Sequence, residues 1–148
     1  MTITKKLSGI GLAALATGVG LASALTPAGA ANAATRHVGT IAGVETRCNN
    51  SVYLLCLYYN SSAKTAYWGT DDDVSDLAGK TFLSGTGAGS GEAVKNNAAA
   101  ASCDLASTGK CWIFFNHGYA GNADYLNGQE TGQLSYTYNE DASVKVVY

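Results

Sequence analysis

The side chains of this 148-residue sequence that could carry covalent, metal or acid–base chemistry are four cysteines, two histidines and eleven carboxylates. The cysteines stand in two pairs of identical spacing, Cys48 with Cys56 and Cys103 with Cys111. That interval is not the close C-x-x-C spacing of a zinc knuckle or a thioredoxin-type redox site, so the thiols read as structural. His37 and His117 form no His-Glu-x-x-His metal motif, and His117 falls in a turn, where it reads as a solvated side chain. Asp71, Asp72, Asp73, Asp76, Glu92 and Asp124 are the carboxylates a glycosidase-type acid and base could be drawn from. Aspartates beside glycine, however, read first as turn residues that bond to local backbone. The glycine-rich segment 85–91 has neither G-x-G-x-x-G order nor a Gly-Lys-Ser/Thr ending, and reads as a connector. No nucleophile stands beside a recognisable base, so no catalytic residue is assigned and the chain is not expected to be an enzyme.

Structural thiols imply an oxidising compartment, and the N-terminus supplies the route. Lys5 and Lys6 precede an apolar stretch that runs to Leu25, followed by Pro27 and small residues, which is the pattern of a secretory signal peptide. Residues 1–33 are assigned to it, with cleavage after Ala33 preferred over Ala30. Gly18 and Gly20 dilute the run too far for a membrane anchor, so no membrane association is expected after cleavage. The remaining 115 residues suffice for one domain, expected to be secreted and monomeric. They hold seven basic against eleven acidic residues, a formal charge of −4, with the bases scattered singly; nucleic acid and anionic membranes are therefore poor partners.

Three pairings of four cysteines can be drawn. The repeat and the shortness of each loop favour Cys48 with Cys56 and Cys103 with Cys111. Closing a loop of that length stabilises by about 2.5 kcal/mol in the chain-entropy model.

The elements that must hold these residues read as strands. Segment 52–59 is β-branched, leucine or aromatic almost without a gap, which predicts a strand buried on both faces. Short strands are predicted at 66–68, 110–115, 123–126, 134–138 and 144–147, with a turn at 116–121 and a hairpin turn at Asn127-Gly128. Residues 34–47 read as a loosely held leader, and 74–78 as one helical turn stopped by Gly79. The alanine-rich segment 92–101 fits either a helix or a tightly packed loop. Among the aromatics, Tyr58 and Trp112 are assigned to the core rather than to a sugar-stacking platform, and Tyr67-Trp68 lies nearer solvent. The fold class that follows is all-β, built as two units over about 48–102 and 103–148.

Phe114 is followed five positions on by a second aromatic, Tyr119, and two further by Gly121, a residue able to take the positive φ of a tight turn. With the Cys56-Leu57-Tyr58 opening and the 94–98 stretch, they make the mature chain resemble the secreted bacterial peptidase inhibitors of βγ-crystallin fold, whose founding member inhibits a metalloproteinase. The resemblance implies a disulfide-stapled, βγ-crystallin-like sandwich of two Greek-key units. It also implies an inhibitor whose rigid loop blocks the cleft of a secreted metalloproteinase. The first unit departs from the pattern, having Ala63 and Thr65 where the second aromatic and the glycine belong, so its hairpin is expected to fold differently. Spacing does not assign the inhibitory loop; segments 49–55, 104–110 and 116–121 are the candidates.

Many βγ-crystallin units bind calcium through clustered Asn, Asp and Ser oxygens. Both corresponding segments are altered here. Residues 96–101 keep Asn96 and Asn97 but have Ala100 in place of the hydroxyl. Residues 139–144 keep Asn139 and Ser143 but have Glu140 at the second position. No cofactor is assigned, with calcium at Asn139, Glu140 and Ser143 the candidate. Two further readings follow from the same resemblance, a calcium-binding structural or cell-surface module and a small secreted antimicrobial toxin.

Overall fold

The computed structural model describes residues 32–40 and 45–148. The signal-peptide assignment and the leader positions Ile41 and Val44 fall largely outside these residues. In chain order the elements are β1 (Thr35–His37), α1 (Thr46–Ser51), β2 (Leu55–Tyr58), β3 (Tyr67–Thr70), β4 (Ala100–Cys103), β5 (Lys110–Asn116), β6 (Ala120–Asn127), β7 (Glu130–Gln133) and β8 (Ser143–Val147). They form two four-stranded sheets, ordered β1-β6-β5-β8 and β3-β2-β4-β7.

The strand order interleaves the two halves of the chain. β7 comes late in the sequence yet pairs with β4, while Val74, from the first half, bridges to Val144 on β8. Each half thus lends one extended segment to the sheet dominated by the other. The result is the βγ-crystallin-like sandwich of Greek-key units, with the halves unable to separate without breaking ladder hydrogen bonds. Between the sheets lie Leu55, Leu57, Leu77, Phe82, Val94, Ile113, Leu126 and Val144, all buried.

β2 is buried at every residue, as its unbroken apolar run requires. Leu55 and Leu57 enter the core between the sheets. Cys56 and Tyr58, on the opposite face, enter a second cluster with Cys48, Ala63 and Ala100. α1 was not legible in the sequence; six residues are too few for periodicity to register, and its position is fixed by the Cys48–Cys56 disulfide instead. The second disulfide, Cys103–Cys111, joins the end of β4 to β5 and so ties one sheet to the other.

Four expectations are corrected. The alanine-rich segment is neither helix nor loop at its end. Ala100–Cys103 is the central strand β4, and Ala98 to Ala101 are all buried where only small side chains let neighbouring backbone approach. The 74–78 segment forms no helical turn, because the Val74 N–H and carbonyl pair with Val144 at 2.9 Å each. The Asn127-Gly128 turn does not make a hairpin: β6 and β7 belong to different sheets, and the turn carries the chain between them. Segment 134–138 is no strand either. Buried Asp124 accepts the N–H groups of Ser135, Tyr136 and Thr137 and the Thr137 hydroxyl, and so coils the backbone around one carboxylate.

Thr35–His37 in the leader also differs from its reading as a loose tail. It adds a parallel strand to β6, with His37 opposite Tyr125.

Candidate functional site

The loop between Cys48 and Cys56 is fastened on both flanks. After α1 the chain turns at Val52, whose φ of +68° is a left-handed conformation that a β-branched residue rarely adopts. Its side chain is 80 % exposed. Beyond it, Tyr53 lies against Gly69, where an added Cβ would meet its ring at 2.3 Å. The Leu54 N–H donates to Asp71 Oδ1 at 2.9 Å, and the Leu54 carbonyl accepts the Asp104 N–H at 2.7 Å. A strained, apolar and solvated residue therefore stands at the head of a loop closed by a disulfide and anchored to two neighbouring segments.

The other two candidate loops are less free. In segment 104–110, Leu105 and Gly109 are buried, Gln129 Nε2 donates to Asp104 Oδ1 at 2.9 Å and to the Leu105 carbonyl at 3.0 Å, and only residues 106–108 are exposed. In segment 116–121, Tyr119 has φ +63° and Gly121 φ +78°, and the Tyr119 ring meets Phe114 edge-on at 5.9 Å, the corner anticipated from those three residues. A side chain at Gly121 would press on Asn116 at 2.7 Å. In the first unit Ala63 takes the same left-handed turn, φ +51°, but its small side chain is buried against Cys48 and Tyr58 instead of folding over them. Burial raises the Tyr58 phenol to about 12, and its oxygen lies 2.9 Å from Ser102 Oγ.

The residues considered for calcium lie beside this corner. Ser143 Oγ donates to the Asn116 carbonyl at 2.7 Å and accepts the Tyr119 N–H at 3.0 Å, so the hydroxyl serves the corner. Asn139 and Glu140 are exposed. Asp141, between them and Ser143, turns inward, where Oδ1 accepts the Ala98 N–H at 2.9 Å and Oδ2 has no hydrogen-bond partner among the described residues. Burial pushes its carboxyl up to about 7. Among the described residues no group of three or more His, Cys, Asp or Glu side chains could hold a metal ion. A shallow cleft of about 240 Å³, lined in part by Lys95, Asn96, His117 and Glu140, lies beside this corner.

Four of the five aspartates weighed as catalytic carboxylates fasten backbone. Asp71 holds Leu54, Asp73 accepts the Val146 N–H, Asp76 accepts the Ala78 N–H and Lys95 Nζ, and Asp124 coils 135–137. The bond from Lys95, with that from Ala78, lowers the Asp76 carboxyl. His117 is exposed in its turn. Two features escaped the sequence reading. Val52 carried no signal other than an aliphatic residue inside a cysteine loop, and Asp141 was hidden within a motif read for its neighbours.

No protein-family model and no curated protein matches the sequence. Solved structures do. A βγ-crystallin from Ciona intestinalis is 16 % identical, the match covering 62 % of this chain and 95 % of that one at a TM-score of 0.46. A βγ-crystallin domain from Flavobacterium johnsoniae is 12 % identical over 64 % and 93 % of the two chains, also at 0.46. IPSE/alpha-1 from Schistosoma mansoni eggs is 14 % identical over 64 % and 84 %, again at 0.46.

Proposed function

We propose that the protein is an exported inhibitor of a metalloproteinase and that it blocks the protease cleft with the loop between Cys48 and Cys56. The observation that carries this reading is Val52: an aliphatic side chain, 80 % exposed and at φ +68°, on a loop held by a disulfide and by the Asp71 and Asp104 contacts of Leu54. Strain of this kind costs about 1–3 kcal/mol and persists only where surrounding contacts over-determine it. A loop already fixed loses little conformational entropy on docking, and an exposed apolar side chain is available to fill an apolar pocket of the enzyme. The resemblance of the mature chain to metalloproteinase inhibitors supports the target class.

The test is inhibition of a thermolysin-like zinc endopeptidase by the wild-type chain and by Val52→Gly. Glycine accepts the left-handed φ without strain and removes only the aliphatic group. The variant is expected to melt no lower than wild type and to inhibit at least about tenfold more weakly, the equivalent of about 1.4 kcal/mol of docking energy. Equal inhibition by both proteins would remove the assignment of the loop, and no inhibition by either would remove the function.

A further inference from the structure

The two units treat the outer faces of their sheets differently. In the first, Cys56 and Tyr58 of β2 point away from the core and are covered, since Cys56 is bonded to Cys48 of α1. The corresponding positions on β5, two and four residues after Lys110, are Trp112 and Phe114. Among the described residues no helix covers them, and both remain half-exposed. This corrects the assignment of Trp112 to the core: Cys111 and Ile113 point inward, and Trp112 alternates with them.

On this uncovered face the rings are continuous. His37 stacks on Tyr125 at 5.1 Å, Tyr125 meets Trp112 at 4.7 Å, Trp112 meets Phe114 at 6.2 Å and Phe114 meets Tyr119 at 5.9 Å. Cations border the row. Lys110 Nζ lies 4.8 Å from the Tyr125 ring and Lys145 Nζ 4.5 Å from the Tyr119 ring. Lys145 stands directly opposite Trp112 across the β5–β8 ladder. Of the acids nearby, Glu130 lies 2.7 Å from His37 Nε2 and accepts the Asn127 N–H, Asp124 is buried on the far side, and Asp73 accepts the Val146 N–H through Oδ1 while its exposed Oδ2 lies 4.0 Å from Lys145 Nζ; Lys110 Nζ donates to Asn127 Oδ1 at 2.8 Å. On a chain that is acidic overall, this face gathers aromatic surface and positive charge.

We propose that the outer face of the β1-β6-β5-β8 sheet is a binding site for an acidic polysaccharide. The half-exposed rings of Trp112 and Phe114 take the apolar C–H faces of pyranose rings, and Lys110 and Lys145 exchange their contacts with Asn127 and Asp73 for carboxylates along the chain. The site is independent of the Cys48–Cys56 loop, which belongs to the other sheet.

The experiment is affinity electrophoresis and fluorescence titration of the full oxidised chain with polygalacturonate, with neutral galactan as the control. Trp112 should report the interaction, and retardation by polygalacturonate should weaken as salt screens the lysines. Trp112→Ala should lower the affinity at least about tenfold and Lys145→Glu by a similar factor, while galactan should give no retardation. Lys145→Glu is a solvent-side substitution and decides the matter even if Trp112→Ala fails to fold. No retardation of wild type by polygalacturonate, equal retardation by galactan, or wild-type affinity in the folded Lys145→Glu variant would each overturn the assignment.

Discussion

Asp124 is the residue whose removal should be felt most. It is fully buried and accepts four hydrogen bonds from three consecutive residues, at 2.8–3.2 Å. Asp124→Ala leaves the buried Thr137 N–H and hydroxyl without a partner, where each unsatisfied group costs about 1–3 kcal/mol, and releases the exposed Ser135 and Tyr136 from their anchor. Urea unfolding should show a loss of at least about 3 kcal/mol, a large share of the 5–15 kcal/mol that holds a domain together. Asp141 should act oppositely and through pH. Its folded-state carboxyl is raised to about 7 from 3.8, because it is buried with one oxygen unpartnered among the described residues. Between those values the folded chain holds a proton that the unfolded chain has released. Stability from this group is thus fully present below about 3.8 and is lost as pH rises to about 7. The melting temperature should therefore be higher at pH 5 than at pH 8. Asp141→Asn should flatten that difference and raise the melting temperature at pH 8, since an amide there carries no charge. A wild-type melting temperature independent of pH over this range would contradict the burial of Asp141.

At the scale of elements, the two disulfides have the same spacing and different duties. Cys48–Cys56 holds a six-residue helix that could not persist alone, whereas Cys103–Cys111 joins two strands that also have ladder partners. Replacing either pair with serine should cost about 2–3 kcal/mol in denaturant unfolding. The local consequence should differ. Loss of the first pair should expose the amides of 46–51 to hydrogen exchange without unfolding the sandwich, while loss of the second should lower protection in both sheets together. Most strands were legible because β2, β5 and β8 have strong apolar runs or alternation. The exceptions were places where something outside the local pattern decides the backbone. Segment 134–138 alternates like a strand, yet a carboxylate ten or more positions earlier captures its N–H groups. The 98–101 alanines have a helix former's composition, but space at the centre of a sheet selects them for size.

For the whole molecule, duplication was visible in the identical spacing of the two cysteine pairs. The exchange of extended segments between the halves was not, because nothing in β7 or around Val74 names a partner in the other unit. Nor could periodicity tell that Trp112 faces solvent while Tyr58 is covered, since both sit in aromatic runs. What differs is a helix delivered by Cys48. The division of surfaces follows from that asymmetry: one sheet carries a fastened loop headed by Val52, the other an open aromatic and cationic face. The measurement that tests the account most directly is the titration of a thermolysin-like zinc endopeptidase with the oxidised chain and with the same chain reduced and alkylated. The oxidised protein should inhibit stoichiometrically, with an inhibition constant in the nanomolar range of pre-organised protease–inhibitor pairs, and the alkylated protein should inhibit far more weakly. Full protease activity in the presence of excess oxidised chain, or equal inhibition by both forms, would contradict it.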